Sequence, residues 1–148
     1  MKLFKTVDKI FARFGNIRAM ERTHVDSFTE GLIAEIKGDK IAESDFGQLY
    51  TTYQNLSGYD FLNVSLLSGT NIKTYKGCYL IFELPNNTTI TLPSDTKEIE
   101  SDFSNVSNRY LTKITFIVNK SEQEIISKGN FNKVFLNFKK KSLPMDKV

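Results

Sequence analysis

The chain has 148 residues, enough for one domain with a sizeable core, and its 40% hydrophobic and 25% charged residues are typical of a globular protein. Lys5, Asp8 and Lys9 interrupt the first ten residues, and no apolar run approaches the roughly 18 residues of a transmembrane helix, so neither a signal peptide nor a membrane span is predicted. The single cysteine, Cys78, excludes an intramolecular disulfide and fits a reducing compartment, so we expect a cytoplasmic protein.

The net charge of +3 is unevenly distributed along the chain. Residues 1–22 hold six Lys/Arg and two acidic residues, a net +4, and residues 128–148 hold six lysines and one aspartate, a net +5. The residues between them hold eight basic and fourteen acidic side chains, a net −6. Basic ends of this kind either fold onto an acidic body or seek an anionic partner.

Residues 2–14 are predicted to form an amphipathic helix. Its basic residues lie off an apolar stripe and are Lys2, Lys5, Lys9 and Arg13. The stripe itself consists of Leu3, Phe4, Val7, Ile10, Phe11 and Phe14. One interpretation packs the stripe against the rest of the domain or a second subunit. The alternative lays the helix on an anionic membrane surface. Residues 1–22 are therefore assigned to this helix and a connector.

Residues 23–141 are predicted to form a β-rich domain. Residues 31–36 and 41–44 are expected to pair as a hairpin, with further strands over 47–55 and 62–66 and a loop over 67–77. The most apolar segment, 76–92, is predicted to be a β-hairpin turning at Pro85, Asn86 and Asn87, because side chains alternate on both sides of these turn formers. Since its first strand is apolar on nearly both faces, we expect it at the centre of the sheet.

The remaining elements follow a polar segment. Residues 93–108 are predicted to be a long loop, and residues 109–118 a strand. Ser121 and Glu124 have the spacing of a capping box that opens a short helix ending at Gly129. A final strand is expected over 133–140, followed by a flexible basic tail over 142–148.

These elements predict a mainly β fold. Seven to eight strands, connected chiefly as hairpins without a βαβ rhythm, favour an antiparallel β-sandwich or a partly open barrel. The amphipathic helix would precede this β-fold, and one short helix would precede its last strand.

Residues suited to catalysis are sparse. The only histidine is His24, so His and Cys ligands cannot form a metal site, and Cys78 lies in an apolar strand that disfavours its thiolate. A loop with Asp95, Glu98, Glu100 and Asp102 offers oxygen ligands but matches no calcium-loop template. No catalytic, cofactor or metal site is therefore predicted, although an enzyme using the acidic loop stays an alternative.

A basic surface is predicted at Lys139, Lys140 and Lys141, beside an outward-facing Phe135. A basic strand with an exposed aromatic ring is typical of single-stranded nucleic-acid binding, but the acidic body argues against a nucleic-acid partner. The expected function is a non-enzymatic module that binds a protein partner or forms a homo-oligomer, with membrane-surface binding and single-stranded nucleic-acid binding as alternatives.

Overall fold

The computed structural model describes residues 28–148. The predicted amphipathic helix, with its stripe and its basic residues, lies outside the described residues. The described chain begins with helix α1, of which residues 28–34 are described. Eleven strands and a second helix follow, and they occur in this order: β1 Asp39–Ser44, β2 Gly47–Leu56, β3 Tyr59–Ser68, β4 Lys73–Thr74, β5 Tyr79–Glu83, β6 Thr89–Pro93, β7 Ile99–Glu100, β8 Asp102–Ser104, β9 Arg109–Val118, α2 Lys120–Ser127, β10 Lys133–Phe138 and β11 Lys141–Lys147.

Nine strands form one antiparallel sheet that curls into a half-barrel, in the order β6-β5-β10-β11-β1-β2-β3-β9-β8. A small second sheet pairs β4 with β7. The chain leaving β6 returns toward β9, because Ser94 forms a bridge to Phe116 and the Asp95 backbone N–H donates to the Thr115 carbonyl at 2.8 Å. The mainly β prediction is confirmed, and a curled sheet of this kind is the partly open barrel rather than the sandwich.

The concave face of the sheet is filled by side chains. Alternate residues of the long strands point inward, and the largest fully buried ones include Leu49, Leu62, Leu66, Leu80, Phe82 and Phe116. Ile126 of α2 and Phe131 belong to the same core, and so do Ile72 and Ile99 beside the small sheet. The Phe131 ring meets Phe82 edge-on, with ring centroids 5.1 Å apart.

Helix α1 replaces a predicted strand. Residues 31–36 were expected to pair with 41–44, but the Glu35 backbone N–H donates to the Gly31 carbonyl at 3.1 Å, as in a helix. The apolar residues Leu32, Ile33 and Ile36 have helical spacing, and this spacing outweighs the strand pattern that the prediction used. Residues 41–44 do form a strand, which pairs with β2 instead.

The apolar hairpin forms as predicted, since β5 pairs with β6 from Tyr79 opposite Pro93 to Glu83 opposite Thr89. Its expected central position is wrong. β6 is an edge strand, and β5 has β10 as its other neighbour. The outward side chain of Tyr79 is accordingly exposed, so the strand is covered on one face only.

Three further predictions need correction. The segment 93–108 is not all loop, because it contains β7 and β8. The capping box begins two residues earlier, with the Asn119 side chain accepting from the Glu122 N–H at 2.7 Å and the Glu122 carboxylate accepting from the Asn119 N–H at 3.0 Å. The predicted flexible tail over 142–148 largely forms β11, which pairs along its length with β10 and buries Leu143 and Met145.

Candidate functional site

The predicted surfaces fall in two places. The apolar stripe and the basic residues of the N-terminal segment lie outside the described residues. The other predicted basic residues, Lys139, Lys140 and Lys141, are exposed. Lys139 and Lys140 form the turn between β10 and β11, and Lys141 begins β11. Phe135, expected to be an exposed aromatic ring, is only partly exposed and lies between Ile81 of β5 and Pro144 of β11.

A cluster of apolar side chains lies on the convex face where β2, β3 and β9 meet. We call it the outer patch and define it by Leu56, Tyr59, Phe61 and Ile117. Because side chains alternate, residues between the inward-facing positions point outward, and the register sets Leu56 opposite Tyr59 and Phe61 opposite Ile117. Leu56, Tyr59 and Ile117 keep 51%, 61% and 46% of their surface exposed.

The hairpin turn beneath the outer patch has a fixed backbone conformation. Ser57 has a φ of 53° and Gly58 a φ of 84°, so both turn residues are left-handed. Two left-handed residues in a two-residue loop match the twist of the flanking strands, as in a type I′ turn. The Asn55 side-chain amide also donates to the Asp60 carboxylate across the hairpin at 2.7 Å. The outer patch is therefore built on a regular, tightly turned hairpin.

A groove adjoins the outer patch on the same convex face, and we call it the outer groove. It consists of two adjacent hollows of about 430 and 440 Å³, which share Asn63, Lys113 and Thr115. Leu32 of α1 and Ile36 after it line one hollow, and Leu56 and Phe61 of the outer patch line the other.

The floor of the outer groove is polar and internally hydrogen-bonded. The Thr115 hydroxyl donates to the side-chain oxygen Oδ1 of Asn63 at 3.1 Å, and the side-chain amide of Asn63 donates to the side-chain oxygen Oε1 of Gln54 at 3.3 Å. Lys113 is exposed and has no ion pair within residues 28–148. The groove thus offers hydrogen-bonding groups, and its lining carries charges of both signs, namely Lys37 and Lys113 together with Glu35 and Asp95.

Helix α1 is anchored beside this groove by a carboxylate. The Glu30 carboxylate accepts from the Ser104 hydroxyl at 2.6 Å and from the Ser107 hydroxyl at 2.9 Å. These two hydrogen bonds, opposed by partial desolvation and assisted by Arg109, hold the pKa of Glu30 below its usual value. The anchor fixes the end of the groove formed by Leu32 and Ile36.

The geometry gives little support to the catalytic candidates. Cys78 is 2% exposed, and burial raises its pKa to about 11, against a smaller opposing effect of its hydrogen bond with Ser94. A neutral buried thiol is a poor nucleophile. Within residues 28–148, no group of three or more His, Cys, Asp or Glu side chains is arranged to hold a metal ion. In the acidic segment, Glu100 forms an ion pair with Lys73 at 3.7 Å, and Ile99 between its acidic neighbours points into the core.

Sequence reasoning missed the outer patch and the outer groove. Leu56, Tyr59 and Phe61 lie between the predicted strands 47–55 and 62–66, and the two-residue turn at Ser57 and Gly58 sets Leu56 beside Tyr59. The Ser-Gly pair was the available signal for this turn.

No protein-family model matches the chain, and comparison with curated proteins and with solved structures likewise gives no match. Among residues 28–148, neither helix has the length and apolar character required to cross a membrane.

Proposed function

We propose that this protein is a non-enzymatic binding module that contacts a protein partner through the outer patch and the outer groove. The observation that carries the proposal is the adjacency of exposed apolar side chains and a hydrogen-bonding groove on one face of the sheet. Contiguous exposed apolar residues mark interaction sites, and an apolar centre with a polar surround is the usual anatomy of a protein interface.

The side chains of this surface indicate the kind of partner segment that would bind to it. Tyr59 and Phe61 are aromatic side chains of the kind enriched at the energetic centre of interfaces. The amide and hydroxyl groups on the groove floor suit the polar backbone of an extended partner segment. We therefore propose an extended partner segment that places apolar anchor residues on the outer patch. This class of partner includes a second copy of the same chain.

The test uses the double variant Leu56→Ser/Tyr59→Ser in the full chain. Each change removes an apolar contact of a side chain that is already exposed, so the fold should be unaffected. Quantitative affinity capture and sedimentation velocity should show at least a roughly tenfold loss of partner or self-association, because interface anchors each contribute about 2 kcal/mol or more. Val106→Ser is the matched control, since Val106 is an equally exposed apolar residue outside the patch. Undiminished binding by the double variant would rule out the outer patch as the contact surface.

The N-terminal stripe from Leu3 to Phe14 is proposed as a second contact surface, with the basic residues beside it available to an anionic membrane. Its support is the sequence pattern alone. A cytoplasmic location is also proposed, and the single unpaired thiol of Cys78 supports it.

A further inference from the structure

A second, chemically different surface lies at the turn between β10 and β11. A pocket of about 480 Å³ opens there, and we call it the lysine pocket. Thr74, Tyr75 and Lys76 line one side, and Lys139 and Lys140 line the other. Two segments far apart in the sequence therefore bring three lysine side chains to one hollow.

The charges of the lysine pocket are uncompensated. Within residues 28–148, five other lysines form ion pairs with acidic side chains, whereas Lys76, Lys139 and Lys140 form none. The described residues hold fourteen basic and fourteen acidic side chains, so this concentration of unpaired positive charge is local rather than a consequence of overall composition. Like charges held together repel one another, and an anionic ligand removes that repulsion.

The backbone on both sides of the pocket is held in place. The Lys76 N–H donates to the Thr74 hydroxyl at 3.1 Å, and the next residue, Gly77, donates its N–H to the Lys97 carbonyl at 2.7 Å. Lys139 adopts a left-handed conformation with a φ of 52°. Glycine or asparagine adopts this conformation at a lower cost in free energy, so Lys139 makes the turn less stable than glycine would.

Aromatic rings accompany the charges. Tyr75 lines the pocket and is 66% exposed, and Tyr79 points outward from the neighbouring strand and is 52% exposed. Lysines that bind phosphates, next to exposed rings on which bases stack, are the two components of single-stranded nucleic-acid sites.

We propose that the lysine pocket binds single-stranded nucleic acid, with Lys76, Lys139 and Lys140 on the phosphates and Tyr75 stacked on a base. The site differs from the predicted basic strand, because it takes Lys76 and Tyr75 from the segment before β5 and does not use Phe135. It is separate from the protein-binding surface, which lies on β2, β3 and β9.

The test measures binding of a fluorescein-labelled single-stranded oligonucleotide to the full chain by fluorescence anisotropy across a salt series. The triple variant Lys76→Gln/Lys139→Gln/Lys140→Gln should bind at least tenfold more weakly at low salt. Its slope of log affinity against log salt should be shallower by about 2, since each phosphate contact to a single strand contributes about 0.7. The double variant Lys128→Gln/Lys133→Gln is the control and should bind like the wild type, because those lysines lie away from the pocket in ion pairs.

Two further variants separate stacking and charge from structure. Tyr75→Ala should weaken binding about fivefold or more with an unchanged salt slope, and Tyr75→Phe should restore it. Lys139→Gly should raise the melting temperature while weakening binding, a combination that a purely structural role for Lys139 does not produce. The proposal is overturned if the triple variant and the control bind alike. It is also overturned if Tyr75→Ala has no effect while an acidic peptide or anionic vesicles bind as tightly as the oligonucleotide.

Discussion

The protonation state of Cys78 provides the most direct test of the closed core. Cys78 immediately precedes β5 and its thiol is buried, and its pKa of about 11 compares with an ordinary value of 9.0. At about pH 8, a thiol with a pKa of 11 is roughly one part in a thousand ionised, whereas an ordinary thiol is roughly a tenth ionised. The native protein should therefore react with Ellman's reagent at least about 100-fold more slowly than the chain unfolded in urea.

The same difference in pKa makes stability depend on alkaline pH. The folded protein retains the Cys78 proton between pH 9.0 and about 11, while the unfolded chain releases it. The unfolded state then binds fewer protons, so the free energy of unfolding falls as the pH rises through this range. The contribution is fully present below pH 9.0, and a loss of roughly 2–3 kcal/mol is expected by about pH 11.

Urea denaturation of the wild type and of Cys78→Ala, followed by circular dichroism from about pH 8 to pH 11, isolates this contribution, because tyrosines and lysines titrate in both proteins. The wild type should lose more stability than the variant. Parallel curves, or native labelling as fast as that of the unfolded chain, would refute the burial argument. Either result would also make Cys78 an accessible thiol and reopen the nucleophile interpretation.

Two other predictions concern the backbone and the N-terminal segment. Gly77→Ala should lower the free energy of unfolding by about 1–2 kcal/mol in urea denaturation, because Gly77 has a φ of 78° and an added Cβ would lie 2.8 Å from the Ser94 hydroxyl oxygen. Gly31→Ala, in helix α1, should be neutral or stabilising by up to about 1 kcal/mol, because within residues 28–148 an added Cβ would have no atom within 4 Å outside its own helix backbone. Equal losses in the two variants would contradict this reasoning. Phe4→Ser/Phe11→Ser in the full chain should abolish association with protein or with anionic liposomes without lowering the stability of the β-domain. Salt-sensitive co-sedimentation with liposomes would identify the membrane as the partner, and unfolding of the β-domain would show that the stripe is structural.

Local sequence signals located the long strands β2, β3, β9 and β10 and the β5–β6 hairpin, but not the short strands β4, β7 and β8. The alternation on either side of Pro85, Asn86 and Asn87 correctly located the β5–β6 hairpin. The position of that hairpin at the sheet edge could not be predicted in this way, because β5 pairs with β10, which is distant in sequence. Alternation says which side chains share a face and leaves open which strand lies alongside.

The last strand illustrates how one residue can mislead a local prediction. Pro144 lacks a backbone donor and interrupts the alternation of Leu143 and Met145, so β11 has a weak strand signal. The structure accommodates Pro144 because β1 and β11 pair only at Ala42–Lys147 and Glu43–Asp146. The Ser44 hydroxyl satisfies the Pro144 carbonyl at 2.7 Å. Tertiary context thus makes a strand of a segment whose own pattern indicates a tail.

The proposed surfaces could not be predicted from sequence for the same reason. The lysine pocket needs Lys76 beside Lys139, and the outer patch needs Phe61 beside Ile117. Both contacts depend on the curl and register of the sheet. By contrast, the turn lysines themselves were identified from the sequence, because a run of lysines after an apolar strand indicates an exposed end.

The interior of the domain is filled by side chains, and both proposed binding surfaces lie on its outside. Phe82 and Phe116 occupy the space that a ligand-carrying barrel would leave open, and Phe131 and Ile72 extend the same core toward its two ends. The buried Thr112 hydroxyl is hydrogen-bonded with the Ser101 hydroxyl at 2.6 Å. The two proposed binding surfaces, the outer patch and the lysine pocket, differ in chemistry and lie on different strands. In this arrangement a protein partner and a nucleic-acid strand bind the domain at the same time, and loss of one site removes only the ligand of that site. A ternary complex that persists after either site is lost would contradict it.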